Sequence, residues 1–237
     1  MTDQTDLVIY QAKRFDLKFL TRPHTSDVKS IAEVVDRNGY QRKDFKILPG
    51  ETWFDIGGYI GSFACTALRL GAMVEIFEPF DSSRDLLEKN LALNGLVGGY
   101  VVRPFALTAG DIPSERSMGI NKNGNLWRNS IVKTPAQGGS VPVRCEPITH
   151  HIGRAQCVKM DVEGSELELL EDVSIYRHLK KLVFEWGFDV DPSIERFINK
   201  CDELKGIFKH VKHATFAEGE KIHHWFPPCT KVFCWND

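Results

Sequence analysis

Residues 52–78 read TWFDIGGYIGSFACTALRLGAMVEIFE, and this stretch decides the fold class. Trp53-Phe54-Asp55-Ile56 is a short apolar run bounded by Gly50 and Gly57, the pattern of a buried strand ending in a carboxylate. Gly57-Gly58-Tyr59-Ile60-Gly61 follows as a turn, with glycine where a chain bends sharply or lets a ligand approach its backbone. Ser62 to Leu70 carries apolar residues at helical spacing and stops at Gly71; Met73 to Phe77 is a second apolar run, ending in Glu78-Pro79. The unit is strand, glycine turn, helix, strand, with an acid at the second strand's tip.

Such a unit suits a nucleoside. The turn opens a helix N-terminus, whose free N–H groups favour anionic groups. A carboxylate about 20 residues beyond the turn accepts the hydroxyls of a ribose. A plain βαβ unit with a solvated Glu78 is the alternative. A dinucleotide site wants G-x-G-x-x-G, but Tyr59 and Ser62 occupy its second and third glycine positions. Tyr59 would crowd a pyrophosphate. S-adenosylmethionine has no pyrophosphate and tolerates a looser turn.

The 237 residues suit one domain with a small appendage, and the formal net charge of -2 gives no general basis for binding nucleic acid. No run has the length and apolarity of a membrane span, and no basic-then-apolar leader opens the sequence as given. The six cysteines form no C-x-x-C and mostly lie in apolar runs, so free thiols and a cytoplasmic location are expected. Without matching cysteine spacing, the local histidine pairs do not read as a zinc site.

Around the central unit, Leu7–Tyr10 and Phe15–Leu20 suggest a strand pair, and Thr25 to Gly39 a capped helix. YQRKDFK (40–46) is locally basic. It is either a solvated connector or, with Arg37, Tyr40 and Arg42, part of a cover over a substrate mouth. A helix is expected from Ser82 or Ser83 to Asn94-Gly95, a third strand over Tyr100–Leu107, and loops or a hairpin insertion over 108–140. Within that insertion Trp127-Arg128-Asn129-Ser130 sets an aromatic beside polar donors, so Trp127 and Asn129 are candidate substrate contacts. Val141–Cys145 suggests a strand, Ile148–Gly153 a short helix, and Asp191 onward a helix with Pro192 near its start. Gly206–Val211 and Cys229–Trp235 read as the last strands.

Two further runs repeat the opening design. Cys157 to Asp161 and Lys181 to Glu185 are apolar strands ending in acids. In an open parallel sheet ligands bind beyond the carboxyl ends of the strands, so Asp55, Glu78, Asp161 and Glu185 are expected along one edge. A sulfonium ligand with an ammonium and ribose hydroxyls suits such an edge.

VKMDVEGSELELL (158–170) resembles the signature of the FkbM family of methyltransferases. WFDIGGYIGSF (53–63), FEP (77–79), NLALNGL (90–96) and FALT (105–108) resemble that family's cofactor half. The resemblance implies an α/β class I methyltransferase (Rossmann-like) fold, with seven mostly parallel strands, the last antiparallel, and helices on both faces. Residues 46–237 would form the S-adenosylmethionine-binding domain and 1–45 an extension covering the substrate. It implies S-adenosylmethionine as methyl donor, bound by Asp55, Gly57, Gly58, Tyr59, Gly61, Glu78, Pro79, Ala106 and Asp161. Gly58 and Tyr59 stand where the family often has Ala and Asn.

The family implication is O-methylation of a small-molecule or saccharide hydroxyl. Asp161 or Glu163 would be the base, with Tyr40, Trp127, Asn129 and Glu185 near the substrate. Three readings of the Asp161/Glu163 pair stay open: a base, a holder of a divalent cation, or an ammonium site with a helix-capping Glu163. His150 and His151 are reserve bases. The competing classes are a nucleic-acid or other N-methyltransferase, a nicotinamide oxidoreductase and a non-catalytic nucleotide-binding module.

Overall fold

The computed structural model describes residues 6–121, 126, 129–132, 138–213 and 229–236. Seven strands make the central sheet: β3 (Thr52–Ile56), β4 (Met73–Phe77), β5 (Tyr100–Arg103), β9 (Cys157–Met160), β10 (Lys181–Gly187), β11 (His210–His213) and β12 (Cys229–Trp235). Their order is β11-β12-β10-β9-β3-β4-β5. β12 runs antiparallel to both neighbours, and the pairs from β10 to β5 are parallel. The chain goes from β3 outward to β4 and β5, then returns to lay β9 against the other side of β3. That reversal opens a crevice at the carboxyl ends of β3 and β9.

Alternation along β3 sets the two cores. Trp53 faces a layer with Phe45, Phe63 and Phe233, while Phe54 and Ile56 face a layer with Phe77, Val158, Met160 and Phe184. The first layer is covered by helices α2 (Ser62–Arg69) and α3 (Asp81–Leu93), and the second takes in Phe197, Cys201 and Leu204 of α5 (Ile194–Lys205). α3 buries Leu86, Leu87 and Leu91 as expected, but it starts at Asp81 after Phe80, so Ser82 and Ser83 lie in its first turn and do not cap it, and Leu93 is exposed.

The N-terminal segment begins with an antiparallel hairpin, β1 (Val8–Gln11) and β2 (Lys18–Thr21). The Leu20 and Lys18 amides donate to Asn90 of α3 and to Asn94 just after it, at 2.7 and 2.9 Å. Leu17, Phe19, Ile31, Val35, Tyr40 and Phe45 join the same apolar cluster as Trp53 and Phe63.

Several local expectations change. The helix over 25–39 is α1 (Asp27–Ile31) continued by a π turn, Ala32–Asp36, and ends at Asn38 with φ 57°. The run Tyr100–Leu107 is two strands. Pro104 has no N–H for the ladder, and after it β6 (Ala106–Thr108) leaves the main sheet. β6 pairs with β8 (Gly138–Pro147), which pairs in turn with β7 (Ser114–Asn121), so a hairpin arm stands within 108–147. Residues 148–154 form two 3₁₀ turns, and the helix after Glu163 spans four residues, α4 (Glu166–Leu169). β11 starts at His210 because Ile207 and Phe208 finish the turn after α5. The six cysteines are free thiols.

Candidate functional site

The crevice is closed at its floor by Gly57. Its φ is 86°, and a Cβ there would lie 1.9 Å from the Asp161 carbonyl oxygen, so only glycine lets β3 and β9 end this close together. The Gly57 and Gly58 amides donate to the Phe77 carbonyl at 3.0 and 3.2 Å, which ties the turn to β4. Gly61, φ 86°, precedes α2.

Behind this floor lies a buried ion pair. Asp55 and Lys159 are register partners on β3 and β9, with Lys159 Nζ 3.0 Å from Asp55 Oδ1 and both side chains buried. Lys159 also donates to the Gly57 carbonyl at 2.6 Å. Burial works against the lysine's charge, but the Asp55 and Asp161 carboxylates outweigh it and raise its pKa. Burial raises the Asp55 pKa, with Lys159 opposing that shift. Asp55 is wholly enclosed rather than presented to a ligand. Lys159 escaped the sequence reading; a lysine in the middle of a buried apolar strand was the available signal.

Glu78 stands at the tip of β4, buried, with Oε2 accepting from the Tyr59 amide (2.7 Å) and Oε1 from the Phe80 amide (2.9 Å). Burial pushes its carboxyl up to about 7, although the two amides oppose the shift. Tyr59 carries a left-handed φ of 48°, and its phenol donates to buried Asp27 at 2.5 Å. The ring is thereby tied to the N-terminal segment.

In the turn after β9, Glu166 accepts from the Val162 and Gly164 amides at 2.6 and 2.7 Å, and burial pushes it up to about 7. Glu166, not Glu163, is the side chain that binds this turn's amides. Glu163 is half-buried with φ 54°, and its carbonyl accepts from the Ser130 hydroxyl at 2.8 Å.

Two clefts open here. The first, about 620 Å³, is lined by Glu78, Pro79, Phe80, Ala106, Met118 and Ile131 among others. The second, about 1070 Å³, is lined by Glu33, Lys159, Glu166, Glu185 and Asp189 among others. Gly57, Tyr59, Asp161 and Glu163 line both. Three buried polar atoms on the wall of the first cleft, Ser83 Oγ, Asn129 Nδ2 and Ser165 Oγ, have no hydrogen-bond partner among the described residues. A buried polar atom without a partner is costly, and a ligand rich in ring nitrogens and hydroxyls fits such a wall. The nucleoside of S-adenosylmethionine has both.

Tyr40 is not at a mouth. It is 2% exposed, lines neither cleft, and donates to Asp161 Oδ2 at 2.6 Å. The apolar Phe63 ring meets it edge-on and draws it inward. Lys231 and Lys159 lie 4.9 and 5.7 Å from its ring centre. Glu185 lies in the second cleft, 3.5 Å from Lys231, which also pairs with Glu33. Burial and Asp161 raise the Glu185 pKa, with Lys231 opposing. Asn129 lines the first cleft, not the second; Trp127 and Arg128 lie outside the described residues. His150 and His151 line neither cleft. Among the described residues no group of three or more His, Cys, Asp or Glu is placed to hold a metal ion, and Asp161 meets Tyr40 instead. No described helix is long and apolar enough to cross a membrane.

A family model described as the methyltransferase FkbM domain matches residues 55–205. Among solved structures, the chain is similar to a methyltransferase FkbM from Methylobacillus flagellatus KT. The identity is 15% and the TM-score 0.51, with 86% of this chain and 47% of that one covered, so the chain spans about half its length. It is also similar to a precorrin-6y C5,15-methyltransferase from Geobacter metallireducens GS-15, at 13% identity and TM-score 0.45 over 81% and 84% of the two chains. A third is the tRNA (uracil-54, C5)-methyltransferase of Pyrococcus abyssi in complex with S-adenosyl-L-homocysteine. It shares 12% identity at TM-score 0.45, over 96% of this chain and 43% of that one. No curated protein matches the chain. The strand order, with its one antiparallel strand, is that of the class I methyltransferase fold.

Proposed function

The chain belongs to the FkbM methyltransferase family and is an S-adenosylmethionine-dependent methyltransferase, and from that premise we propose that it methylates a hydroxyl oxygen of a small-molecule or saccharide acceptor. The observation that carries the reading is the junction of the two clefts at Gly57, Tyr59, Asp161 and Glu163. The first cleft, with Glu78, would hold the nucleoside of S-adenosylmethionine, the junction residues would stand beside its sulfonium, and the second cleft would be the acceptor's.

When bound, S-adenosylmethionine supplies an electrophilic methyl carbon. The chain's part is placement and proton removal. Each Glu78 oxygen accepts one backbone N–H and keeps a lone pair for a ribose hydroxyl. Ser83, Asn129 and Ser165 offer their unpartnered atoms to the base and sugar. Asp161, fixed by Tyr40, meets the ammonium; Glu163, on both clefts, takes the acceptor hydroxyl's proton as the new bond forms.

Glu33, Asp161, Glu163, Glu185 and Asp189 line the acceptor cleft, and carboxylates accept hydrogen bonds but give none. A polyol adds donors beside those that Tyr40 and Lys231 already give this acidic cluster, whereas a phosphodiester backbone is repelled. This favours a hydroxylic acceptor over nucleic acid.

Transfer of labelled methyl groups to a panel of sugars and hydroxylic natural products, with RNA alongside, tests the reading. Glu163→Gln is expected to lower kcat by about 10²-fold or more while cofactor affinity stays near wild type. Asp161→Asn should weaken both turnover and cofactor binding. Label entering RNA alone, or wild-type turnover in Glu163→Gln, contradicts the proposal.

A further inference from the structure

The cofactor acid Glu78 is wired to residues far upstream of the segment the family model matches, which begins at residue 55. The wire has three links. Glu78 Oε2 takes its hydrogen bond from the Tyr59 amide at 2.7 Å. The direction of that amide is set by a left-handed backbone, φ 48°, which an aromatic residue adopts rarely and at a cost. The Tyr59 phenol, in turn, donates to Asp27 Oδ1 at 2.5 Å and lies 3.2 Å from Ser26 Oγ.

Asp27 is itself immobilised. It is completely buried, and Arg22 grips it through Nε (3.0 Å to Oδ2), Nη2 (2.8 Å to Oδ1) and its backbone amide (2.8 Å to Oδ2). Arg22 also lies over the Tyr59 ring, 5.5 Å from its centre, and reaches Ser82 Oγ at the start of α3. The same guanidinium thus contacts the anchor of the glycine turn and the helix that follows Glu78. A glycine at position 59 would adopt this backbone freely but would also leave it. A tyrosine held at its far end stays there.

We infer that Asp27 and Arg22 are positioning residues for the cofactor: through Tyr59 they hold the amide that orients Glu78 toward the ribose. This rests on the reading of Glu78 as the ribose-binding acid. Asp27 touches no cofactor atom and acts only through the turn.

The experiment is calorimetric titration of the full chain with S-adenosylhomocysteine. Tyr59→Phe removes the phenol–Asp27 bond and keeps the ring. Asp27→Asn strands Arg22 and can lower stability, so Tyr59→Phe carries the test. Tyr10→Phe is the control, since Tyr10 donates to Asp36 at 2.6 Å in the same N-terminal segment, with no contact to the turn. Tyr59→Phe is expected to weaken binding about tenfold, and Tyr10→Phe less than about twofold. With Glu78→Gln already present, Tyr59→Phe should add less than about twofold, because the two changes act on one link.

Wild-type affinity in Tyr59→Phe, an equal loss in Tyr10→Phe, or full additivity with Glu78→Gln overturns the inference alone. Failure of the wild-type chain to bind S-adenosylhomocysteine overturns the cofactor reading and the inference with it.

Discussion

Replacing Lys159 by Met tests the floor of the crevice. Methionine matches the unbranched stem, so the core keeps its volume and loses chiefly the charge. Asp55, fully buried, is left without the ammonium 3.0 Å away, and the Gly57 carbonyl loses its 2.6 Å donor. Breaking a buried pair from one side costs about 3–5 kcal/mol. Protonation of Asp55 limits the charge part. From an unfolded pKa of about 3.9, taking up a proton at pH 7 costs about 4.2 kcal/mol, and each lower pH unit removes about 1.4 kcal/mol. The folded variant holds Asp55 above its unfolded pKa, so the variant gains stability relative to wild type as pH falls toward about 4. The assay is urea unfolding at pH 7 and pH 5, followed by tryptophan fluorescence. The expected loss is about 3–5 kcal/mol at pH 7, falling by about 2.8 kcal/mol to about 0–2 kcal/mol at pH 5. Asp55→Leu with Lys159→Met should recover part of it. A loss below about 1 kcal/mol at pH 7, or one that does not shrink at pH 5, refutes the buried-pair account.

Gly57→Ala should cost about 2–3 kcal/mol or more and weaken cofactor binding as well, because its Cβ meets the Asp161 carbonyl at a positive φ. A melting curve within about 1 kcal/mol of wild type would contradict that contact. Burial pushes the Glu78 carboxyl up to about 7, and ribose hydroxyls donate to its charged form, so binding lowers its pKa and releases a proton. Cofactor affinity should therefore rise as pH increases from about 6 to about 8, by at most about tenfold per unit, and then level off. Calorimetry across that range should show this slope in wild type and none in Glu78→Gln. A flat wild-type profile contradicts the role of Glu78.

The β3–turn–α2–β4 unit was legible because it obeys local rules. Apolar runs of strand length, glycines that adopt positive φ at 57 and 61, and an acid at each strand tip are all visible in one dimension. The chain's non-local pairings were not. Lys159 reads as a residue inside an apolar run, and only the β3–β9 register sets it beside Asp55. Tyr40 looked like part of a basic connector. Its hydroxyl end bonds Asp161 while its ring packs against Phe63, two contacts that no local pattern announces. Glu163 and Glu166 differ by three positions in one turn, and backbone conformation alone decides which accepts the amides. The break after Arg103 follows from Pro104, which a strand read over Tyr100–Leu107 passes over.

The central claim is that the first cleft holds S-adenosylmethionine by its ribose at Glu78. Calorimetric titration of wild type and Glu78→Ala with S-adenosylmethionine, and with NAD as control, tests it most directly. The account predicts micromolar binding to wild type, about -8 kcal/mol, at least about a hundredfold weaker in Glu78→Ala, and no heat with NAD. Equal affinity in wild type and Glu78→Ala, or binding of NAD in place of S-adenosylmethionine, would contradict it.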